Sequence, residues 1–533
     1  MSRFSGTTTL VGLNVRRDKI VLPACLLAFA GVAAGSAGAT IGVYPDGASR
    51  VQGAELINST PALVAMYGPI YDVGSIGAIS MFKLIGMGTA MVALFALLMV
   101  IRHTRADEEL GRHELLAAGV LGRYAMLAAA LVVVAASSVA IGVLTAAALI
   151  ATGLPTVGSF AFGAAWAVTG LAFAGVGAVA AQLTASARAA RGLAVGALGV
   201  VFLLRAAGDT AGADGPTWLT WLSPLGWAQQ IRPFAGDRWW VAALPLIFAA
   251  VTLIVATGLV RRRDLGAGML PQRPGPRQAG VLLTGPLTLA WRLQRTALIG
   301  WLAAFALLGL VVGQILSSID EMLGTPVARE LILQLGGVAE VKDAFLGIEL
   351  SFVAVFASAY GIASTLRLAG EESAGRGELV LSRPVGRLRW MVSHLSVALA
   401  GTAALMLVAG LSIGISHAIQ VADAAVVGRD LTAAVVRLPA VWVLVGVTVA
   451  LYGLARWAAP LAWGVLVATF LASELGPLVD LPAWVRDLSP FTHVPNLPGG
   501  ELTMAPLLAL LGVAAALIAF GLGAFRRRDL AVG

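Results

Sequence analysis

The chain has 533 residues, of which 59% are hydrophobic and only 12% charged, with a mean hydropathy of +0.88. A soluble globular domain carries about 25% charged residues, so this composition excludes an ordinary soluble enzyme, a disordered protein and a disulfide-stapled secreted domain. The 36 Lys and Arg exceed the 28 Asp and Glu, for a net charge of +8, and the single cysteine, Cys25, has no internal partner.

A helix of about 20 apolar residues crosses a bilayer core. Runs of that kind fall near 20–40, 79–101, 124–150, 160–182, 192–208 and 240–260, then near 298–316, 350–368, 391–415, 438–457, 460–475 and 505–524. The expected fold is an all-α polytopic membrane protein with twelve transmembrane helices. The fifth run contains Arg205, and the eleventh is short and ends at Glu474. The first has Arg16, Arg17 and Lys19 before it and Ala37-Gly38-Ala39 at its end, a pattern shared with signal peptides. The seventh run has the same basic approach in mid-chain, so the first is read as a retained helix. With the N-terminus and every even-to-odd loop on one side, most Lys and Arg gather there, while acidic residues outnumber basic ones on the other. That bias predicts a multi-pass protein of the cell membrane with both termini cytoplasmic. The basicity reflects topology, and no nucleic-acid partner is expected.

The punctuation between the runs repeats. After the second run come Asp107-Glu108, Gly111-Arg112-His113-Glu114-Leu115 and Gly122-Arg123; after the eighth come Glu371-Glu372, Gly375-Arg376-Gly377-Glu378-Leu379 and Gly386-Arg387, all at one offset of 264. Leu222-Ser223-Pro224 precedes the sixth run and Leu488-Ser489-Pro490 the twelfth. Arg261-Arg262-Arg263-Asp264-Leu265 follows the sixth, and Arg526-Arg527-Arg528-Asp529-Leu530 the twelfth. Repetition of this kind divides the chain into a first six-helix half (1–264), a Gly-, Pro- and Arg-rich cytoplasmic linker (265–285) and a second six-helix half (286–533). An even number of spans makes the halves parallel copies, expected about a pseudo-twofold along the membrane normal with a pathway at their interface.

The loop after the second run has a charged face and an apolar edge, Leu115-Leu116, as does its twin. Glu and Arg at i,i+4, as in Glu108 and Arg112 or Glu372 and Arg376, can simply stabilise a solvated turn. Two copies in register favour a docking element that receives force from a cytoplasmic partner. An acidic pair, Gly-Arg-x-Glu-Leu and then Gly-Arg, between the second and third of six spans, resembles the permeases of ABC-2 (type V) exporters. The tandem arrangement over essentially the whole chain is similar to the actinobacterial polyketide-antibiotic and tetronasin-resistance exporter permeases. The resemblance implies that Asp107, Glu108, Gly111, Arg112, Glu114 and Arg123, with Glu371, Glu372, Gly375, Arg376, Glu378 and Arg387, form coupling helices that seat in the grooves of an ABC ATPase, two copies per chain. It implies that Arg16, Arg17, Arg292 and Arg295 belong to amphipathic connecting helices. It also implies short external helices near 209–238 and 476–504, where Trp218, Trp221, Trp227, Trp239, Trp240 and Trp484 suit an interfacial belt. Pro384 matches the proline that many members carry before the second Gly-Arg pair; Val120 stands in its place in the first half.

No nucleotide site is present in the sequence. A P-loop lysine follows a Gly-rich run and precedes Ser or Thr, but Lys19 is followed by Ile, Lys83 by Leu and Lys342 by Asp. The expectation is that this chain binds no cofactor and is no enzyme, with ATP and Mg held by the partner. The five histidines show no paired metal-ligand spacing; His103 and His113 read as solvated loop residues, and His394 and His417 as packing residues. Lys83 and Arg205 lie near predicted external ends, where snorkelling explains them. Phe82, Met87, Met91 and Phe95 on the second span, with Phe352, Phe356 and Tyr360 on the eighth, suit ordinary packing or a greasy substrate path. The resemblance to spans that line the family's central path nominates them for the second role.

The expected function is the permease subunit of an ATP-driven exporter of hydrophobic or amphipathic compounds such as antibiotics, drugs or lipids. The rival is a proton-coupled drug carrier of the major-facilitator type, which needs membrane-buried carboxylates. A membrane enzyme acting on lipids or sugars, or a non-transporting scaffold, are the other classes open at this stage.

Overall fold

The computed structural model describes residues 3–44, 46–109, 111, 121–211, 215–264, 266–270, 278, 280, 283–322, 338–474 and 482–529. Among them the secondary structure is helical and without strands. Among the described residues eleven helices are long and apolar enough to cross a membrane, and a twelfth apolar helix, Leu461–Ser473, is shorter. All twelve apolar runs are therefore helices, the eleventh being the one that falls short. Lipid offers no partner to a bare amide, which is why such spans close every backbone bond internally.

The chain forms two compact units, Met1–Gly275 and Pro276–Gly533. In the first, the fourth span (Thr156–Leu183) is central and packs on the second (Ile76–Glu109), third (Ala125–Ala151), fifth (Ala187–Thr210) and sixth (Trp239–Arg262). Its sequence allows this. A Cβ built on Gly163 would run into the Gly142 carbonyl oxygen, and one on Gly142 into that of Gly163, so the third and fourth backbones touch where neither has a side chain. In the second unit, the tenth span (Ala425–Leu454) packs on the twelfth (Met504–Arg527), and the seventh (Pro286–Leu316) on the ninth (Arg387–Val421).

The repeated punctuation has local causes. Ser223 and Ser489 are N-caps whose hydroxyls accept from Gly226 N and Phe491 N, with proline at the first helical position, a preorganised helix start. Arg261 and Arg262, and Arg526 and Arg527, fill the last turns of the sixth and twelfth spans, where cations complement the helix dipole. Short helices occupy Thr217–Leu222, Pro224–Gln230, Ala483–Arg486 and Pro490–His493, inside the segments where the resemblance implied them. Trp218, Trp240 and Trp484 are well exposed, and Trp221 stacks on Trp240 at 6.1 Å.

Three features depart from the sequence reading. The second span carries a single π turn, Leu84–Gly88, whose Leu84 carbonyl accepts from Thr89 N and also from Trp166 Nε1 at 3.3 Å. Arg205 does not snorkel. It is 1% exposed, lies 3.3 Å from Asp209 and donates to the carbonyls of Ala65 and Met66. Asp209 sits one turn further along the same helix, so a local partner replaces the membrane interface. The basic approach also differs between units. Arg16 and Arg17 end a separate helix, Thr7–Arg17, whereas Arg292 and Arg295 are exposed on the first turns of one continuous helix, Pro286–Met322.

Candidate functional site

The loop after the second span begins while the chain is still helical. The helix runs on past Ile101, so His103, Arg105 and Asp107 are buried. His103 is thus not a solvated loop residue: its Nε2 lies 2.8 Å from Asp18 Oδ2, and Asp18, fully buried at the end of Thr7–Arg17, also receives Arg102 at 2.6 Å. Sequence reading gave neither Asp18 nor Arg102 a role.

Each acid of the run Asp107-Glu108-Glu109 ties the loop to a different element. Asp107 accepts from Arg17 Nη1 at 2.6 and 2.7 Å, which fastens the amphipathic helix. Glu108 is held by Arg263 through two parallel bonds of 2.7 and 2.8 Å, by Gly266 N at 2.6 Å and by Arg105 at 3.2 Å. Glu109 accepts from the amide of Ala187 at 2.9 Å, at the start of the fifth span. Arg263 also donates to Gln182 at 2.6 Å, and Arg105 to the carbonyls of Ala181 and Ala267. The bidentate Arg–carboxylate fork is the strong form of such a contact, since it fixes orientation as well as distance. Beside it, a cavity of about 460 Å³ is lined by Glu108, Arg123, Gln182 and Arg263 with Leu121, Met126 and Val260.

The second unit builds the same knot with fewer strands. Glu372 receives Arg528 Nη2 at 2.6 Å and the Tyr452 hydroxyl at 2.8 Å, with the Arg528 guanidinium over the Tyr452 and Phe525 rings. Three further details recur. The helix ends on Glu108 and Glu372 are closed by amides of Gly111 and Gly375, each 3.1 Å from the glutamate carbonyl. Those glycines have φ of 69° and 68°, the left-handed region that a side chain disfavours. Arg123 donates to the carbonyls of Arg261 and Arg263, and Arg387 to that of Arg528.

The nominated residues therefore divide by position. Glu108 and Glu372 point inward, their side chains 6% and 5% exposed, and their partner is the arginine triplet at the end of the last span. Arg376 pairs with Glu371 at 2.7 Å, not with Glu372 one helical turn away. Arg376, Glu378 and Leu379 face outward on the short helix Arg376–Leu381, with Arg387 exposed beyond it. Arg112 and Glu114 lie outside the described residues. The arginine triplets were visible as repeats, and their recurrence beside the acidic pair was the signal that could have joined them. Tyr452 had no such signal.

The nominated path residues differ in exposure within their own units. Phe82 and Tyr360 are core residues of their own units, Met87 and Phe95 are half-buried, and Met91, Phe352 and Phe356 are exposed. Among the described residues, no group of three or more His, Cys, Asp or Glu could hold a metal ion.

The comparisons agree on one family. Residues 283–526 match the model described as the C-terminal domain of the multidrug efflux system permease Rv1217c. The whole chain is 44% identical to the multidrug efflux system permease protein Rv1217c of Mycobacterium tuberculosis, over 99% of this chain and 96% of the relative. With its apolar helices and its twice-built knot, the chain belongs to this family of multidrug efflux permeases and is the membrane-embedded transport subunit of an ABC exporter.

Proposed function

We propose that this permease exports hydrophobic or amphipathic compounds through the cell membrane, with both termini cytoplasmic and with ATP hydrolysed by two copies of a separate ABC ATPase that hold the ATP and Mg. The ATPases engage the outer faces of the two loops, represented by Arg376, Glu378 and Leu379 in the second unit. Glu108 and Glu372 act one step behind that surface. When ATPase closure displaces a loop, the Glu108–Arg263 and Glu372–Arg528 bridges carry the displacement to the ends of the sixth and twelfth spans. In the first unit, Asp107–Arg17 carries it to the amphipathic helix as well. Both the nucleotide state and the cargo must bias the same two-state element for coupling to exist.

The observation that supports this reading is the recurrence, in each unit, of a glutamate at the end of the second-span helix clamped by the arginine that follows the last span. Cells expressing the chain with its ATPase are expected to keep exporting a fluorescent amphiphile when the proton gradient is collapsed, and to stop when ATP is depleted. Export that follows the gradient and ignores ATP would return the proton-coupled carrier.

A further inference from the structure

The two units differ at the end opposite the arginine-rich loops. Asp343 begins the eighth span, 28 residues before Glu371, or about 42 Å along a helix at 1.5 Å per residue. There the second unit contains a cavity of about 600 Å³, lined by Asp343, Ile348, Ser351, Arg437, Asn496 and Leu497 among others. The first unit has a space of only about 30 Å³ in the corresponding region, lined by Ala78, Met81, Phe82, Phe162, Gln229 and Pro233 among others.

The substitutions responsible can be named. The offset of 264 between the loops becomes 265 beyond the π turn, which adds one residue to the first unit's second span. Phe82 then corresponds to Gly347, and Ala78 to Asp343. From the Leu-Ser-Pro repeats, offset by 266, Phe234 corresponds to Gly500. Two rings that fill the first unit are hydrogen atoms in the second. Space is left open at Gly347, where a Cβ would meet nothing nearer than Arg437 Nη2 at 3.8 Å. Gly499 is at the cavity wall, where a Cβ would come within 3.1 Å of Asp343.

The charged groups in the wall are one acid, Asp343, and one base, Arg437. Arg437, 5% exposed, spends its Nη donors on the carbonyls of Ala433, Leu497 and Gly347. Asp343 and Asp430 share one guanidinium, Arg429, at 3.2 and 3.3 Å, and Asp430 is also 2.9 Å from His417. Asp343 Oδ1 is buried without a hydrogen bond of acceptable geometry. A cavity of this size with an apolar lining and a few convergent polar groups is the usual form of a small-molecule site.

We propose that the second unit alone carries a binding site for amphipathic organic cations, with Asp343 receiving the positive group and Ile348, Leu497 and Pro498 receiving the apolar body. This deepens the export reading and rests on it for its physiological meaning, but binding itself needs no ATP.

The test is fluorescence anisotropy of rhodamine 6G, an amphipathic cation, and of uncharged Nile red, on the purified full chain without nucleotide. Asp343→Asn is expected to weaken rhodamine 6G about tenfold and Nile red less than twofold. Gly347→Phe, which restores the ring of the first unit, is expected to abolish binding of both. If Gly347→Phe does not fold, the near-isosteric Asp343→Asn decides alone. Absence of rhodamine 6G binding to the wild type, unchanged affinity in Asp343→Asn, or equal loss of both probes there would overturn the site. Wild-type protein that shows the expected binding pattern yet never moves the dye with ATP would refute the export reading and leave the site standing.

Discussion

Exchanging Glu108 and Glu372 together for glutamine is expected to reduce cargo-stimulated ATP hydrolysis and export at least tenfold while the ATPase subunits still co-purify. Each carboxylate is almost fully buried and answers an arginine that is itself mostly buried. Removing one member of such a pair strands the other charge, at about 3–5 kcal/mol. The loop relieves that strain by letting go of Arg263 or Arg528. The last span then no longer follows the loop, although the outward residues Arg376, Glu378 and Leu379 are untouched. A purely structural role would lower the melting temperature without separating binding of the ATPase from stimulation of it. Reversing the pair, with Glu372→Arg and Arg528→Glu in one chain, is expected to restore part of the stimulation lost in Glu372→Arg alone. Wild-type export and stimulated hydrolysis in the double glutamine variant would remove these bridges from the mechanism.

Gly163→Leu is expected to be the most destructive single change in the first unit. Gly142 and Gly163 face one another across the third and fourth spans, each against the other's carbonyl. A side chain there has no rotamer that avoids backbone, so the helices must separate. Overpacking costs about 1–3 kcal/mol where neighbours can shift, and the fourth span, packed on four others, has little freedom to do so. Lost packing is not refunded by burial from lipid, because lipid tails are as apolar as leucine. The measurement is the yield of folded chain in size-exclusion chromatography, with Gly163→Ala as the milder comparison. Gly192→Leu, on an exposed face where a Cβ meets nothing, is expected to behave as wild type. Equal yields for Gly163→Leu and Gly192→Leu would contradict the packing.

Much of the fold was legible because crossing a bilayer makes one dominant demand on sequence, and an apolar run of sufficient length meets it. Leu461–Ser473 was the span least able to meet it, and it is the one that falls short. What the runs could not convey is where a polar side chain finds its partner. Arg205 turns its Nη groups to Asp209 and to carbonyls about 140 positions away. His103 and Arg102 pair with Asp18, which the packed amphipathic helix brings to them. The acidic loop was recognisable from its recurrence, but recurrence does not distinguish a residue offered to a partner from one clamped inward. Arg376 is exposed, while Glu108 and Glu372 are clamped inward. The aromatic residues at helical spacing meet a related limit: spacing places Phe352 and Phe356 on one face and does not say what that face meets.

The most direct measurement is transport into sealed vesicles containing the purified chain, with and without the purified ABC ATPase subunit, using rhodamine 6G as cargo. The expected result is no ATP hydrolysis and no uptake by the chain alone, with ATP-dependent uptake into inside-out vesicles once the ATPase is added. Nucleotide cleavage by the unaccompanied chain, or uptake driven by a pH gradient without ATPase, would contradict a permease powered by its partner.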